Sequence, residues 1–240
     1  MCLLGLLVLL FPLLCTSNPK DTFIRSRAAY YGSPDCSRTP EGACGFGEYG
    51  RTVNQGNVAG VAGLYRNGSG CGACYQVRCT NQQYCSDDGV NIVATDYGEG
   101  DGTDFILSRR AYSKLARPNL AFKLFACSAV DVQYKRISCR YSGNNLMYKV
   151  NEHSRYPSYL SILILYAGGQ NDITAEDSKQ WKPMSREFGA VWDMENPPKG
   201  SIHLKLQLSG SAGVNWVQNK NAIPDYWKAG VVYDSTIQLT

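Results

Sequence analysis

Histidine is scarce in this 240-residue chain: only His153 and His203 are present, and both lie in the second half. A zinc reading of Cys71-x2-Cys74 therefore lacks nearby imidazoles, and no metal is expected. No cysteine follows Cys139, so any covalent framework belongs to the first half alone. A βαβ pattern, which a redox reading of CxxC needs, is also missing. There is no apolar run long enough to cross a bilayer. The longest, LLGLLVLLFPLL at residues 3–14, is followed by Cys15-Thr16-Ser17 and suits a signal-peptide core, without the usual basic start. Residues 1–17 are read as that signal, cleaved after Ser17. Leu14 fills a position that a lipid anchor on Cys15 would need small. The expected product is a secreted, extracellular protein, off the membrane after cleavage.

Strong charge is lacking too. The net charge is +4, and residues 18–143 hold the surplus, with 15 Lys/Arg against 11 Asp/Glu. That excess is not the concentrated basic stripe of a nucleic-acid binder. A solvated surface is its ordinary reading, and acidic polysaccharide is the partner class it would suit. Repeats and low-complexity tracts are absent.

What is present falls into two halves. Eight cysteines lie between Cys36 and Cys139, an even number that reads as disulfides in a secreted chain, with the pairing open from spacing alone. Nine glycines crowd residues 41–70 and argue for loops and short strands there. Asn67-Gly68-Ser69 is the single glycosylation sequon. Short strands are expected at Arg27–Tyr31, Tyr75–Cys79, Val90–Ala94, Phe122–Ala126 and Val130–Tyr134, with one helix capped by Ser108. This suits a small closed barrel. After a linker at Tyr141–Asn145 the strands become cleaner, and Ile202–Leu208 alternates strictly, as a half-buried antiparallel strand does. About a hundred residues of this kind predict an immunoglobulin-like sandwich. The fold class is thus mostly β, with one barrel at 25–141 and one sandwich at 146–240.

Two kinds of residue carry candidate chemistry. Asp96 ends a buried strand, and Asp104 follows across a glycine-rich turn that also holds Glu99 and Asp101. Paired carboxylates are the minimum for glycosidic hydrolysis, with burial keeping one protonated as the acid. Tyrosines outnumber phenylalanines 16 to 7, and partly exposed aromatic rings stack on sugars. Tyr30, Tyr31 and Tyr97 are candidates in the first half, and Tyr156, Tyr159 and Phe188 in the second. Trp181, Trp192 and Tyr166 are assigned to packing.

The joint pattern AAYYGSPDC, GACGFGEYG, CGACYQVRC, ATDYGEG and DFILSRRAYSKLA, followed by GAVWDM and IPDYWKAGVVYD, resembles the plant expansins, specifically their expansin-like B branch. The resemblance covers essentially all of residues 18–240. It implies a double-psi β-barrel, related to family 45 glycoside hydrolases and barwin, beside a carbohydrate-binding β-sandwich with an aromatic platform. It also implies a non-enzymatic protein without cofactors, a monomer with no nucleic-acid partner. Such a protein binds cellulose, xyloglucan or other matrix glycans in the cell wall and loosens the wall by disrupting glycan contacts. A silent barrel on a binding protein and a weak endoglucanase using Asp96 are the alternatives. The implied disulfides are Cys44–Cys71, Cys74–Cys139 and Cys79–Cys85, leaving Cys36 and Cys127. The family's barrel aspartate falls on Asp96, and the platform falls on Tyr159 and Phe188, the latter in place of Trp. Ala29 replaces a usual threonine and Ile106 takes the place of a usual aspartate, which Asp104 replaces only if the chain bulges. Ile173–Trp181 looks short against the family's hairpin, which would reduce one sandwich edge.

Overall fold

The computed structural model describes residues 22–32, 42–99, 103–177, 182–211 and 213–240. The signal segment, Cys36, Asp101 and Trp181 lie outside them. Six strands close a barrel: β1 (Ile24–Tyr30), β2 (Val58–Val61), β3 (Cys74–Cys79), β4 (Val90–Tyr97), β5 (Phe105–Leu107) and β6 (Ala129–Ile137). Their order is β1-β5-β2-β4-β3-β6. The parallel pairs β1·β5 and β2·β4 are linked across the antiparallel pair β2·β5. Ala28, Val77, Ile92, Phe105 and Leu107 fill the interior with no exposed surface.

Three short helices decorate the barrel: α1 (Glu48–Thr52), α2 (Arg109–Lys114) and α3 (Ala121–Phe125). The Ser108 side chain accepts from the Ala111 amide and caps α2 as expected. Helix α3 corrects the strand expected at Phe122–Ala126. Three alternating apolar residues fit either period, but here Leu124 is buried while Phe122 is 63% exposed, and Phe125 packs on Tyr112. Helix α1 is likewise a single turn inside the glycine-rich stretch, where no regular helix was expected.

The second half forms two sheets. The larger holds β7 (Met147–Val150), β8 (Tyr159–Leu165), β10 (Ser185–Phe188), β11 (Val191–Glu195) and β14 (Val232–Asp234), in the order β10-β11-β8-β7-β14. The smaller holds β9 (Asp172–Asp177), β12 (Ile202–Gly210) and β13 (Gly213–Ile223), in the order β13-β12-β9. Leu204 and Leu206 of β12 meet Tyr148, Ile162 and Trp192 in the core between the sheets.

Barrel and sandwich share a third apolar cluster, in which Cys44 and Phe46 meet Leu163, Leu165 and Val191. Tyr166, assigned to packing, serves that seam: its amide donates to the Tyr49 hydroxyl at 3.0 Å, and its ring meets Tyr49 edge-on. Three glycines let the backbones close. A Cβ on Gly68 would overlap Gly189, one on Gly189 would overlap Ala43 and Cys44, and one on Gly45 would lie 2.6 Å from Val191. Asp172 adds an ionic clamp, holding Arg66 at 2.9 Å and Arg136 at 3.2 Å.

Candidate functional site

Strand β4 delivers Asp96 to the rim of the barrel, next to β2. The side chain is only 7% exposed, and among the described residues three donors converge on it. The Tyr31 hydroxyl lies 3.0 Å from Oδ2, while the amides of Ala43 and Tyr97 lie 2.6 and 2.8 Å from Oδ1. Every one of these contacts is a donation, so the carboxyl serves here as an acceptor. Gly42 (φ +55°) brings the loop chain past it, and a Cβ there would stand 3.2 Å from Oδ1. Tyr31 is correspondingly buried, at 8% exposure. It holds Asp96 and offers a ligand almost nothing, which corrects its expected place as a contact residue.

The barrel register places one residue per strand beside this aspartate. Asp96 pairs with Gly60, Gly60 with Ile106, and Ile106 with Ala29. Ile106 and Ala29 thus line up with Asp96, where a second carboxylate and a hydroxyl would otherwise stand. Strand β5 carries no bulge in either pairing, so Asp104 stays two residues further along, roughly 7 Å by strand rise. Its carboxylate accepts from the Ser26 hydroxyl at 2.6 Å. The Tyr30 ring, expected in the groove, packs instead against Tyr112 and Phe125, with Arg109 5.4 Å from its centroid.

Aromatic residues continue the site away from Asp96. Tyr97 is 44% exposed, and its hydroxyl donates to Glu99 at 2.6 Å, which raises its ionisation above the ordinary tyrosine range. Beneath it lies Tyr65, at a ring separation of 5.4 Å, its hydroxyl on the Ala43 carbonyl at 3.0 Å. Burial raises the Tyr65 hydroxyl and nearby Asp96 adds to this, while Arg186 opposes it. Sequence reasoning missed Tyr65, which sits in a glycine-rich turn without periodicity.

Phe188, 44% exposed, takes over across the seam, with its ring edge against Gly45. It pairs with Val191 at one end of β11, and Tyr159 pairs with Glu195 at the other. Four residues of strand separate these ends by roughly 14 Å. The Tyr159 hydroxyl donates to Asp193 at 3.0 Å. Burial, and then this bond, push it up to about 12. Tyr156 donates to Asp225 and leans on Tyr226. Tyr226, also missed, is 75% exposed and held at a φ of 54°, a conformation uncommon for a bulky residue.

The three implied disulfides are present: Cys44–Cys71, Cys74–Cys139 and Cys79–Cys85. Cys127 is a free, exposed thiol. Asn67 is exposed beside Gly68 at the seam. Among the described residues no three His, Cys, Asp or Glu side chains group as metal ligands, and no helix is long and apolar enough to cross a membrane.

A barrel with one buried aspartate, packed along a glycine-lined seam against a sandwich bearing aromatic rings, defines an expansin-type architecture. Residues 57–134 match a double-psi β-barrel family model described as lytic transglycolase, and residues 146–224 match the expansin C-terminal domain. The chain belongs to the expansin family, on its expansin-like B branch. It is 56% identical to Expansin-like B1 of Arabidopsis thaliana over 239 residues, covering 97% of this chain and 94% of that one. Expansin-like B1 of Oryza sativa subsp. japonica is 43% identical, over 90% of this chain and 88% of its own. Two solved structures share the fold at 16% identity, each covering 90% of this chain and 98% of its own. They are an apo expansin of Clavibacter michiganensis (TM-score 0.66) and an aspartate-to-asparagine variant of it in complex with cellohexaose (0.67).

Proposed function

We propose that this protein is secreted to the cell wall, binds wall polysaccharide along the line from Asp96 and Tyr97 to Phe188 and Tyr159, and loosens the wall without hydrolysis. One observation carries the reading. Exposed aromatic rings stand on both sides of the barrel–sandwich seam, Tyr97 on the barrel and Phe188 against Gly45 on the sandwich, while the register places Ile106, not a carboxylate, in line with Asp96. Glycosidic hydrolysis needs two carboxyl groups across the bond, and Asp104 is turned onto Ser26. The cellohexaose complex of the Clavibacter expansin supports a cellulose-type ligand. The chain divides in this reading into a signal at 1–17, a barrel domain at 25–141 and a binding domain at 146–240, acting as a monomer glycosylated at Asn67.

A second reading is favoured by Ala29 and Ile106: a binding protein whose barrel is silent. A creep assay on heat-inactivated walls, with released sugar followed in the same vessel, separates them. Extension without sugar supports loosening. Retained binding without extension supports the silent barrel, and released sugar overturns both. Replacing Tyr159 and Phe188 together by Ala weakens cellulose pull-down about tenfold, because stacking area is lost. Unchanged binding would remove both residues from the site.

A further inference from the structure

We propose that the sandwich carries a second sugar-binding place, a ledge of Tyr156 and Tyr226 that stacks a neutral glycan. Strand β8 runs from Tyr159 to Leu165, and its Leu163 and Leu165 meet Phe46 of the barrel. The turn before β8 therefore lies beyond Tyr159, at the end of the sandwich far from the barrel. Tyr156 stands in that turn, and Tyr226 in the loop between β13 and β14. Their rings lie 5.8 Å apart at 36°, and Tyr156 meets the buried Trp227 edge-on at 5.3 Å. Asp225 ties the two segments together. Its Oδ1 accepts from the Tyr156 hydroxyl at 3.2 Å and from the Tyr226 amide at 2.9 Å.

Packing alone does not account for this arrangement. Tyr226 is 75% and Tyr156 45% exposed, and Tyr226 holds a φ of 54°. That backbone is uncommon for a bulky residue and collects at ligand-binding positions. The free polar groups choose the ligand. A sugar ring turns an apolar C–H face to an aromatic ring and carries hydroxyls at its edge. Among the described residues the Tyr226 hydroxyl and Asp225 Oδ2 make no hydrogen bond, so both can meet such hydroxyls. The Asp225 carboxylate repels an acidic polysaccharide, which leaves a neutral one. Size argues against a protein partner. The exposed parts of two tyrosines amount to on the order of 250 Å², against about 800 Å² on each side of a stable protein interface. Exposed Arg155, Asp225 and Lys228 flank the rings in the chain and interrupt any wider apolar patch. The ledge uses none of Asp96, Tyr97, Phe188 or Tyr159, so it does not depend on the line those residues form.

Affinity electrophoresis of the full chain in gels containing hydroxyethylcellulose, a neutral β-glucan, tests this. The gel retards the unmodified protein, and Tyr226→Asn weakens binding about fivefold. Asn enters the left-handed region readily, so the loss comes with no fall in thermal midpoint. Tyr226→Phe keeps the ring and most of the retardation. Tyr159→Ala with Phe188→Ala leaves a residual retardation, which adding Tyr226→Asn removes. Retardation of Tyr226→Asn equal to that of the unmodified protein would overturn the ledge and leave the line standing. Full retardation of the Tyr159/Phe188 variant, lost in Tyr226→Asn, would support the ledge and remove the line. Complete loss in the Tyr159/Phe188 variant would overturn the ledge as a site of its own, and no retardation of the unmodified protein would overturn both. Sedimentation velocity tests the other occupant: a dimer that Tyr226→Asn dissociates, with glucan binding unchanged, would give the ledge to a second copy and overturn the proposal.

Discussion

Asp96 and Tyr159 show how neighbouring donors and acceptors fix a single side chain in place. Asp96 is surrounded by donors from Tyr31, Ala43 and Tyr97. Replacing it with Asn keeps one acceptor oxygen but removes charge-assisted bonds, costing about 1–3 kcal/mol. The expected result is a lower denaturant midpoint and nearly unchanged cellulose binding, with any wall extension altered; a large binding loss would make its role structural. For Tyr159 the sign follows from its raised ionisation. The folded value of about 12 lies above the ordinary 10.0, so its contribution to stability is complete below pH 10 and is lost as pH climbs toward 12. Tyr159→Phe therefore flattens the alkaline limb of the stability curve, and the unmodified protein shows one tyrosinate transition more near pH 12 than the variant.

Individual elements owe their places to different forces. Strand β12 is set by alternation: Ile202, Leu204, Leu206 and Leu208 are buried, and the residues between them face outward. Leu206→Ala leaves a cavity between the two sheets and costs about 3 kcal/mol, read as a shift in chemical denaturation without change of slope. Strand β5 is short and mixed in burial, yet it decides the chemistry of the rim, because its unbroken register sets Ile106 rather than Asp104 beside Asp96. Strand β9 does form at Asp172–Asp177, in the segment that looked short, and it is the third strand of the smaller sheet.

The molecule as a whole depends on the seam. Gly45, Gly68 and Gly189 let the two backbones touch and set the Phe188 ring against the barrel loop. Gly189→Ala combines a left-handed φ of 49° with overlap on Ala43 and Cys44, and is expected to destabilise by roughly 2 kcal/mol or more. Small-angle scattering and limited proteolysis of the 138–146 connection would show the halves separating. An unchanged profile would show that Phe46 and the Asp172 clamp hold the seam alone.

The sequence by itself determined the fold class, the two halves, the Ser108 cap and the strict strand β12, because local period and capping follow from neighbouring residues. It also singled out Asp96, which is buried among donors, and the partly exposed Tyr97, Tyr159 and Phe188, and through family resemblance the three disulfides. Only the tertiary structure decided that Tyr31 is a buried support and that Tyr30 packs under the helices. It alone showed that Tyr65 and Tyr226 join the aromatic set, and that Asp104 faces Ser26. Those outcomes depend on strand register and on contacts between segments dozens of residues apart, and no local period records such contacts. The seam is the clearest case: a glycine-rich stretch reads as loop in one dimension, and its close approach to Gly189 appears only when both halves are folded.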